Sequence, residues 1–230
     1  MAELNKQMFG NLKGKFGKAV FRQRNGKNYI AQRPDSYTTP STEAFQKRTN
    51  KFRLTSKIAA VINSVPVLKE IWLDTTPNDL SPYNYLISVN YQAVNGDTIS
   101  GLLKIVPESK VGVRLDTMTL TADKLSIKLL PLTAASLIDP ALEKKVQSVS
   151  IIFLSNPLSE DVEKFEVIPL LSSSKIFDLE NALTFDCNIS TALEEKIAKY
   201  GNKNIYTTLI TYNENDAVVN YSGTFSFVIV

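Results

Sequence analysis

A chain of 230 residues with no histidine and a single cysteine has few routes to acid–base or nucleophilic chemistry. The missing imidazole removes the commonest general base, the Ser-His-Asp and Cys-His arrangements, and most zinc sites. Cys187 lies in the strand-like run LTFDCNI, where a buried structural thiol is the ordinary outcome. The acidic cluster Glu160, Asp161, Glu163 and Glu166 suggests a cation site. It lacks the Asp-x-Asp-x-Asp-Gly spacing of an EF-hand loop and reads as a solvated hairpin end. No catalytic residue, metal site, cofactor or small-molecule substrate is expected, and the protein is read as not an enzyme.

Two phosphate-binding signatures are approached and missed in the opening stretch GNLKGKFGKAVFRQRNGKNYIAQRP, Gly10 to Pro34. A P-loop needs Gly, four residues, then Gly-Lys-Ser/Thr after a strand. Gly10 and Gly14 stand one residue too close, Phe16 occupies the Ser/Thr place, and no apolar strand leads in. The run from Lys13 to Phe21 approaches the RNA-binding pattern Lys-Gly-Phe-Gly-Phe-Val-x-Phe. Lys15 breaks its spacing, and Lys18 replaces a stacking aromatic. What remains is charge. Residues 1–58 hold 13 basic against 3 acidic residues, a net of +10, while residues 59–230 hold 13 against 20, a net of −7. A basic arm on a mildly acidic body generally meets phosphate or acidic protein surface.

The elements that carry these cations start at Asn25-Gly26, the preferred pair for a type I′ turn because both central residues need positive φ. A two-residue turn there pairs Arg24 with Lys27, Gln23 with Asn28, Arg22 with Tyr29 and Phe21 with Ile30. Arg22, Arg24, Lys27 and Tyr29 then share one face, and Phe21 and Ile30 share the other with Gln23 and Asn28. Gly10, Gly14 and Gly17 before the hairpin permit tight bends or close approach of another chain. After Pro34 and a loop, Ser41 or Thr42 caps a helix predicted over 42–63, with Phe45, Phe52, Ala59, Ile58 and Ile62 as its apolar stripe.

Residues 64–79 read as a connector, with Pro66, Pro77 and the lone Trp72. Ser81-Pro82 is a good N-cap and N1 pair, so a helix is predicted over 80–94, closed by Asn95-Gly96. From Leu102 onward, short runs rich in Val, Ile, Leu and Thr predict strands near 102–107, 111–120, 124–131, 146–155, 163–170, 182–189, 204–212 and 217–229. A short helix over 192–200, ended by Gly201, interrupts them. The fold class expected is mainly β: an antiparallel, Ig-like β-sandwich over 102–230 with a basic N-terminal arm or hairpin and one or two helices. Its parts are residues 1–63 (arm, hairpin and helix), 64–101 (connector and helix) and 102–230 (sandwich), and residues 64–230 are expected to fold without the arm. No stretch reaches 18 apolar residues, and nothing at the start reads as a signal peptide.

Several segments together resemble an uncharacterised protein family of Bacteroidota and their phages. They are the opening stretch, TPSTEAFQKRTNKF, and the closing IYTTLITYNENDAVVNYSGTFSFVIV. The matching positions are Gly10, Leu12, Gly14, Gly17, Gly26, Lys27, Arg33, Pro34, Thr42, Gln46, Arg48 and Phe52, with Gln46 one place later than the family's glutamine and no terminal glycine on the last strand. The resemblance implies a fold and a class, and no activity. With the charge pattern it leads to the expectation of a structural protein of a large assembly, such as an auxiliary or decorating capsid protein of a phage virion, made in the host cytoplasm. The partner-binding residues expected are Gly10, Gly14, Phe16, Gly17, Phe21, Arg22, Arg24, Lys27, Tyr29 and Arg33, acting on other protein subunits. The rival expectation is a cytoplasmic nucleic-acid-binding module that uses Arg22, Arg24, Lys27, Arg33, Lys47, Arg48 and Lys51 on phosphates.

Overall fold

A computed structural model describes residues 2–4, 14–24, 27–36, 38, 42–96, 98–109, 111–132, 136, 138–176 and 181–229. They fall into two compact units, residues 1–46 and 47–230. The first unit is an antiparallel sheet of β1 (Ala2–Leu4), β2 (Gly14–Phe16), β3 (Ala19–Arg24) and β4 (Lys27–Gln32), in the order β1-β4-β3-β2. Asn25-Gly26 and Gly10 lie outside the described residues. The strands beside the turn nonetheless pair in the register that a two-residue loop dictates: Arg24 with Lys27, Gln23 with Asn28, Arg22 with Tyr29 and Phe21 with Ile30. Gly17 turns the chain from β2 into β3 at φ +57°, in the left-handed region that favours glycine.

The second unit is built around two long antiparallel strands, β9 (Lys145–Pro157) and β13 (Tyr200–Tyr212), paired along nearly their whole length. β10 (Phe165–Leu171) and the short β11 (Lys175–Ile176) flank β9, and β14 (Val218–Tyr221) and β15 (Phe225–Ile229) flank β13. One face of this sheet meets a smaller sheet of order β12-β8-β7, formed by β7 (Leu115–Leu120), β8 (Lys124–Leu129) and β12 (Thr184–Asn188). Ile152, Leu154, Ile205 and Leu209 pack there with Leu125, Ile127, Phe185 and Cys187. The other face carries α1 (Glu43–Ser64), α2 (Pro66–Thr75) and α3 (Pro82–Asn90). Val149, Ile151, Phe153, Tyr206 and Ile210 pack there with Leu54, Ile58, Ile62, Leu68, Trp72 and Leu86. Strand alternation sends successive residues of β9 and β13 into these two cores, so both strands are buried on both faces. The layers of this unit run helices, large sheet, small sheet. A short α4 (Thr191–Ile197) precedes β13.

The chain is mainly β with antiparallel sheets, and several expectations need correction. An Ig-like sandwich has two sheets around one core, whereas this unit has a helical layer and a second core. The described residues hold four α-helices where one or two were expected. Residues 64–79 are not a plain connector. Pro66 occupies the first turn of α2, where its missing N–H costs nothing, and Leu68, Ile71 and Trp72 form a buried stripe. Residues 102–107 are not a strand, although Leu103, Ile105 and Val106 are buried. Side chains take up their backbone groups instead. Trp72 Nε1 donates to the Ile105 carbonyl at 2.9 Å, and Asn90 binds both the N–H and the carbonyl of Lys104 at 2.8 and 3.0 Å. Thr224 Oγ1 accepts from the Ile105 N–H at 3.0 Å.

Helix α3 ends at Asn90, and Asn95-Gly96 belongs to a small hairpin of β5 (Val94–Asn95) and β6 (Thr98–Ile99). Gly201 does not cap α4 but sits inside β13, opposite Asn156, which itself has φ +59°. A Cβ at 201 would stand 2.7 Å from Asn156 Nδ2, so a side chain there would require the Asn156 amide to move. In α1 the stripe is shifted from expectation: Leu54, Ile58, Ala59 and Ile62 are buried, while Phe52 is 55% exposed and Phe45 half-buried. The compact units therefore divide near residue 46 and not at 63, with the rest of α1 in the core of the second. A chain begun at residue 64 is expected to lose its cooperative thermal transition, and one begun at residue 47 to keep it. Ile58→Ala in the full chain should lower the unfolding free energy by about 2–5 kcal/mol in urea titrations.

Candidate interaction surfaces

In the first unit, pairing converts an irregular-looking sequence into a two-faced sheet. Arg22, Arg24 and Lys27 share one face with Tyr29, and Lys15, opposite Val20, joins them. Arg22 and Lys27 are exposed, and Tyr29 is half-buried. Arg24 stands directly across from Lys27 in the ladder. The opposite face carries Phe16, Ala19, Phe21 and Ile30. Phe16 is 81% exposed at the outer strand β2. Gly14, at φ +120°, and Gly17 shape the chain beside Phe16. Arg33 is exposed, and its N–H donates to the Lys18 carbonyl at 2.7 Å, continuing the β3–β4 pairing.

The cations of α1 form a separate set. Lys47 and Arg48 are exposed near its start. Lys51 is committed differently, with its ammonium 4.3 Å from the centre of the Tyr91 ring. Of the seven cations expected to act on phosphates, Arg22, Arg24, Lys27 and Arg33 belong to the first unit and Lys47, Arg48 and Lys51 to α1 in the second, with Lys51 engaged by an aromatic ring.

The acidic cluster near residue 160 is not simply a solvated hairpin end. Lys57 Nζ donates to Glu163 at 2.9 Å, to the Phe165 carbonyl at 3.1 Å and to Glu166 at 3.3 Å, and Lys196 lies 3.6 Å from the other oxygen of Glu166. This network ties α1 and α4 to β10, across more than 100 residues of sequence for Lys57. Burial opposes the Lys57 charge, but the Glu163 bond and the field of Glu166 prevail and raise its pKa above 10.5. The bond from Lys57 holds the Glu163 carboxyl below its ordinary 4.5. Beside the network is an open groove of about 460 Å³ lined by Arg53, Lys57, Val162, Glu163, Lys164 and Phe165. The Arg53 guanidinium lies 5.1 Å from the Phe165 ring centre. Glu166 could have been noticed in the sequence as a charge within an apolar strand, but its distant partner could not.

Burial pushes the Cys187 thiol up to about 11, and it pushes the Tyr212 hydroxyl up to about 12 with help from Glu70 and Asp216. Tyr212 donates to Gln147 Oε1 at 2.8 Å. Cys187 is buried and Tyr212 half-buried. No protein-family model and no curated protein matches the chain.

The Lys57 network carries a pH signature. A carboxyl whose native pKa is depressed contributes stability above its unfolded value, and that contribution disappears as pH falls through the native value. A lysine with a raised native pKa contributes below 10.5 and loses that contribution as pH rises further. Unfolding midpoints should therefore fall below about pH 4.5 and again above about pH 10.5. Glu163→Gln should flatten the acid limb and only lessen the alkaline one, to which buried Cys187 and half-buried Tyr212 also contribute, as read by urea unfolding across pH.

Proposed function

We propose that this protein is a non-enzymatic assembly protein that docks through its basic N-terminal sheet onto acidic protein surface. Its most concrete form is an auxiliary or decorating capsid protein of a phage virion, in line with the resemblance noted in the sequence. The observation that carries the reading is the two-faced sheet. Cations cover one side, and the apolar residues Phe16, Phe21 and Ile30 lie on the other, with Phe16 81% exposed. Protein interfaces combine buried aromatic anchors with charged rims, and this sheet offers both. Binding to phosphate alone would leave the Phe16 side unused. The absence of histidine from the sequence and the burial of Cys187 support a role outside catalysis.

A nucleic-acid-binding role is the second reading, favoured by Arg22 and Lys27 sharing a face with Tyr29. Salt separates the two. Binding to duplex DNA through these cations would show a log–log slope of roughly −0.9 for each phosphate neutralised. Docking on protein would depend less on salt and more on Phe16 and on the glycines beside it.

The test is co-sedimentation of the chain with particles purified from the producing culture, alongside fluorescence anisotropy on duplex DNA. Gly14→Val with Gly17→Val, which strains the positive-φ backbone, is expected to abolish co-sedimentation. Arg22→Gln with Arg24→Gln is expected only to weaken it. Steep salt-dependent DNA binding that the arginine changes abolish and the glycine changes leave intact would establish the nucleic-acid reading instead.

A further inference from the structure

Sheet edges present unpaired backbone N–H and C=O groups, and proteins commonly blunt them with proline, charge or cover. The edges of the second unit differ in this respect. β10 carries Pro169, which has no N–H to offer, together with Glu166. In the smaller sheet, β7 carries Asp116 and β12 carries Asp186. β14 is partly covered: Ser109 Oγ donates to the Tyr221 carbonyl, and Val111 bridges Ser222 in parallel. β15 has neither device. Its sequence, Phe225-Ser226-Phe227-Val228-Ile229, contains no charge and no proline, and among the described residues it pairs with β13 alone.

The side chains beside this edge are apolar and accessible. Phe227 pairs with Ile205 of the small-sheet side and is 37% exposed, and Val228, on the opposite face, is 61% exposed. Leu102 is 76% exposed, one residue beyond Gly101, which packs closely against Ser226. A Cβ at 101 would lie 3.0 Å from Ser226 Oγ, so this loop is fitted against the face of β15 and does not occupy its edge.

We propose that β15 is a self-recognition edge, which pairs antiparallel with β15 of a second copy about a two-fold axis at Phe227. The two large sheets then become one. In this register Phe225 meets Ile229 of the other copy, Ser226 meets its Val228, and Phe227 meets its own counterpart. Electrostatics selects a second copy as the occupant. A two-fold axis brings a central charge against itself, and like charges directly opposite are destabilising, so a symmetric edge must be neutral at its centre. β15 is neutral throughout, so its own copy meets no repulsion about the axis, and a charged partner strand would find no ion pair there. Five paired residues form a small interface, so the dimer is a weak, concentration-dependent one, with Leu102, Phe227 and Val228 adding apolar contact. This inference uses a surface remote in sequence from the basic sheet and does not rest on the reading of that sheet.

Analytical ultracentrifugation of the full chain tests it. The apparent mass is expected to rise with concentration from 25.6 kDa toward twice that value. Phe227→Lys and Phe227→Glu should each remain at the chain mass, and an equimolar mixture of the two should recover the dimer. Phe227→Cys should give an intermolecular disulfide on mild oxidation, because directly opposed strand residues lie within bridging distance and Cys187 is buried. Ser226→Cys, opposite Val228, should cross-link far more slowly. The cysteine pair also decides the matter if either charged variant fails to fold. A wild-type chain that stays monomeric up to about 1 mM overturns the proposal. So does a dimer unaffected by both charged variants, or equal cross-linking at 226 and 227.

Discussion

The pairing of β9 with β13 is the constraint on which the second unit depends. Each strand is thirteen residues long, and each is covered on both faces. Such a pair cannot face water on either side, so it requires two other layers. The helices supply one and the small sheet the other. Register is strongly specified under these conditions, because a slip of one residue would send every side chain to the wrong core. Ser148, Ser150 and Thr207 sit within this pairing without leaving it polar and unsatisfied. Ser150 Oγ donates to Thr207 Oγ1 at 2.8 Å, and Thr207 Oγ1 donates to the Val149 carbonyl at 3.2 Å.

The helical layer is held by side-chain bonds to irregular backbone as much as by apolar contact. Trp72 and Asn90 reach from α2 and the end of α3 to residues 104 and 105, and Thr224, just before β15, reaches the same segment. Buried backbone groups must be paired, and here side chains pair them where a ladder would otherwise be needed. The Lys57 network does similar work at the opposite border, where α1 crosses β10. Its charges remain partly wet, and its role is to fix α1 and α4 against the strand, with the Arg53–Phe165 contact beside it.

The surfaces suited to recognition lie outside these two cores. The N-terminal sheet separates cations from apolar residues by simple alternation, and β15 ends the large sheet on a neutral, unblunted edge. The first is the surface proposed to meet an acidic partner, and the second is the edge proposed to pair with a second copy.

Local patterns in the sequence were sufficient wherever a few adjacent residues decide the geometry. Asn25-Gly26 predicts the pairing of Arg22 with Tyr29 and of Phe21 with Ile30, and the flanking strands keep that register. Ser81-Pro82 determined the start of α3, where the Ser81 hydroxyl accepts from the Asn84 N–H at 3.3 Å. The burial of Cys187 and most strands after residue 111 were legible from alternation. Tertiary structure alone decided matters set by distant partners. Residues 102–107 have strand composition, but their hydrogen bonds go to Trp72, Asn90 and Thr224, so no strand forms. Gly201 resembles a helix stop, but it lies inside β13, where a side chain would displace the Asn156 amide across the ladder. Glu163 and Glu166 look like loop charges until Lys57, more than 100 residues earlier, is placed between them. Periodicity within a window reports which face of an element is apolar, and only the packed chain reports what that face meets.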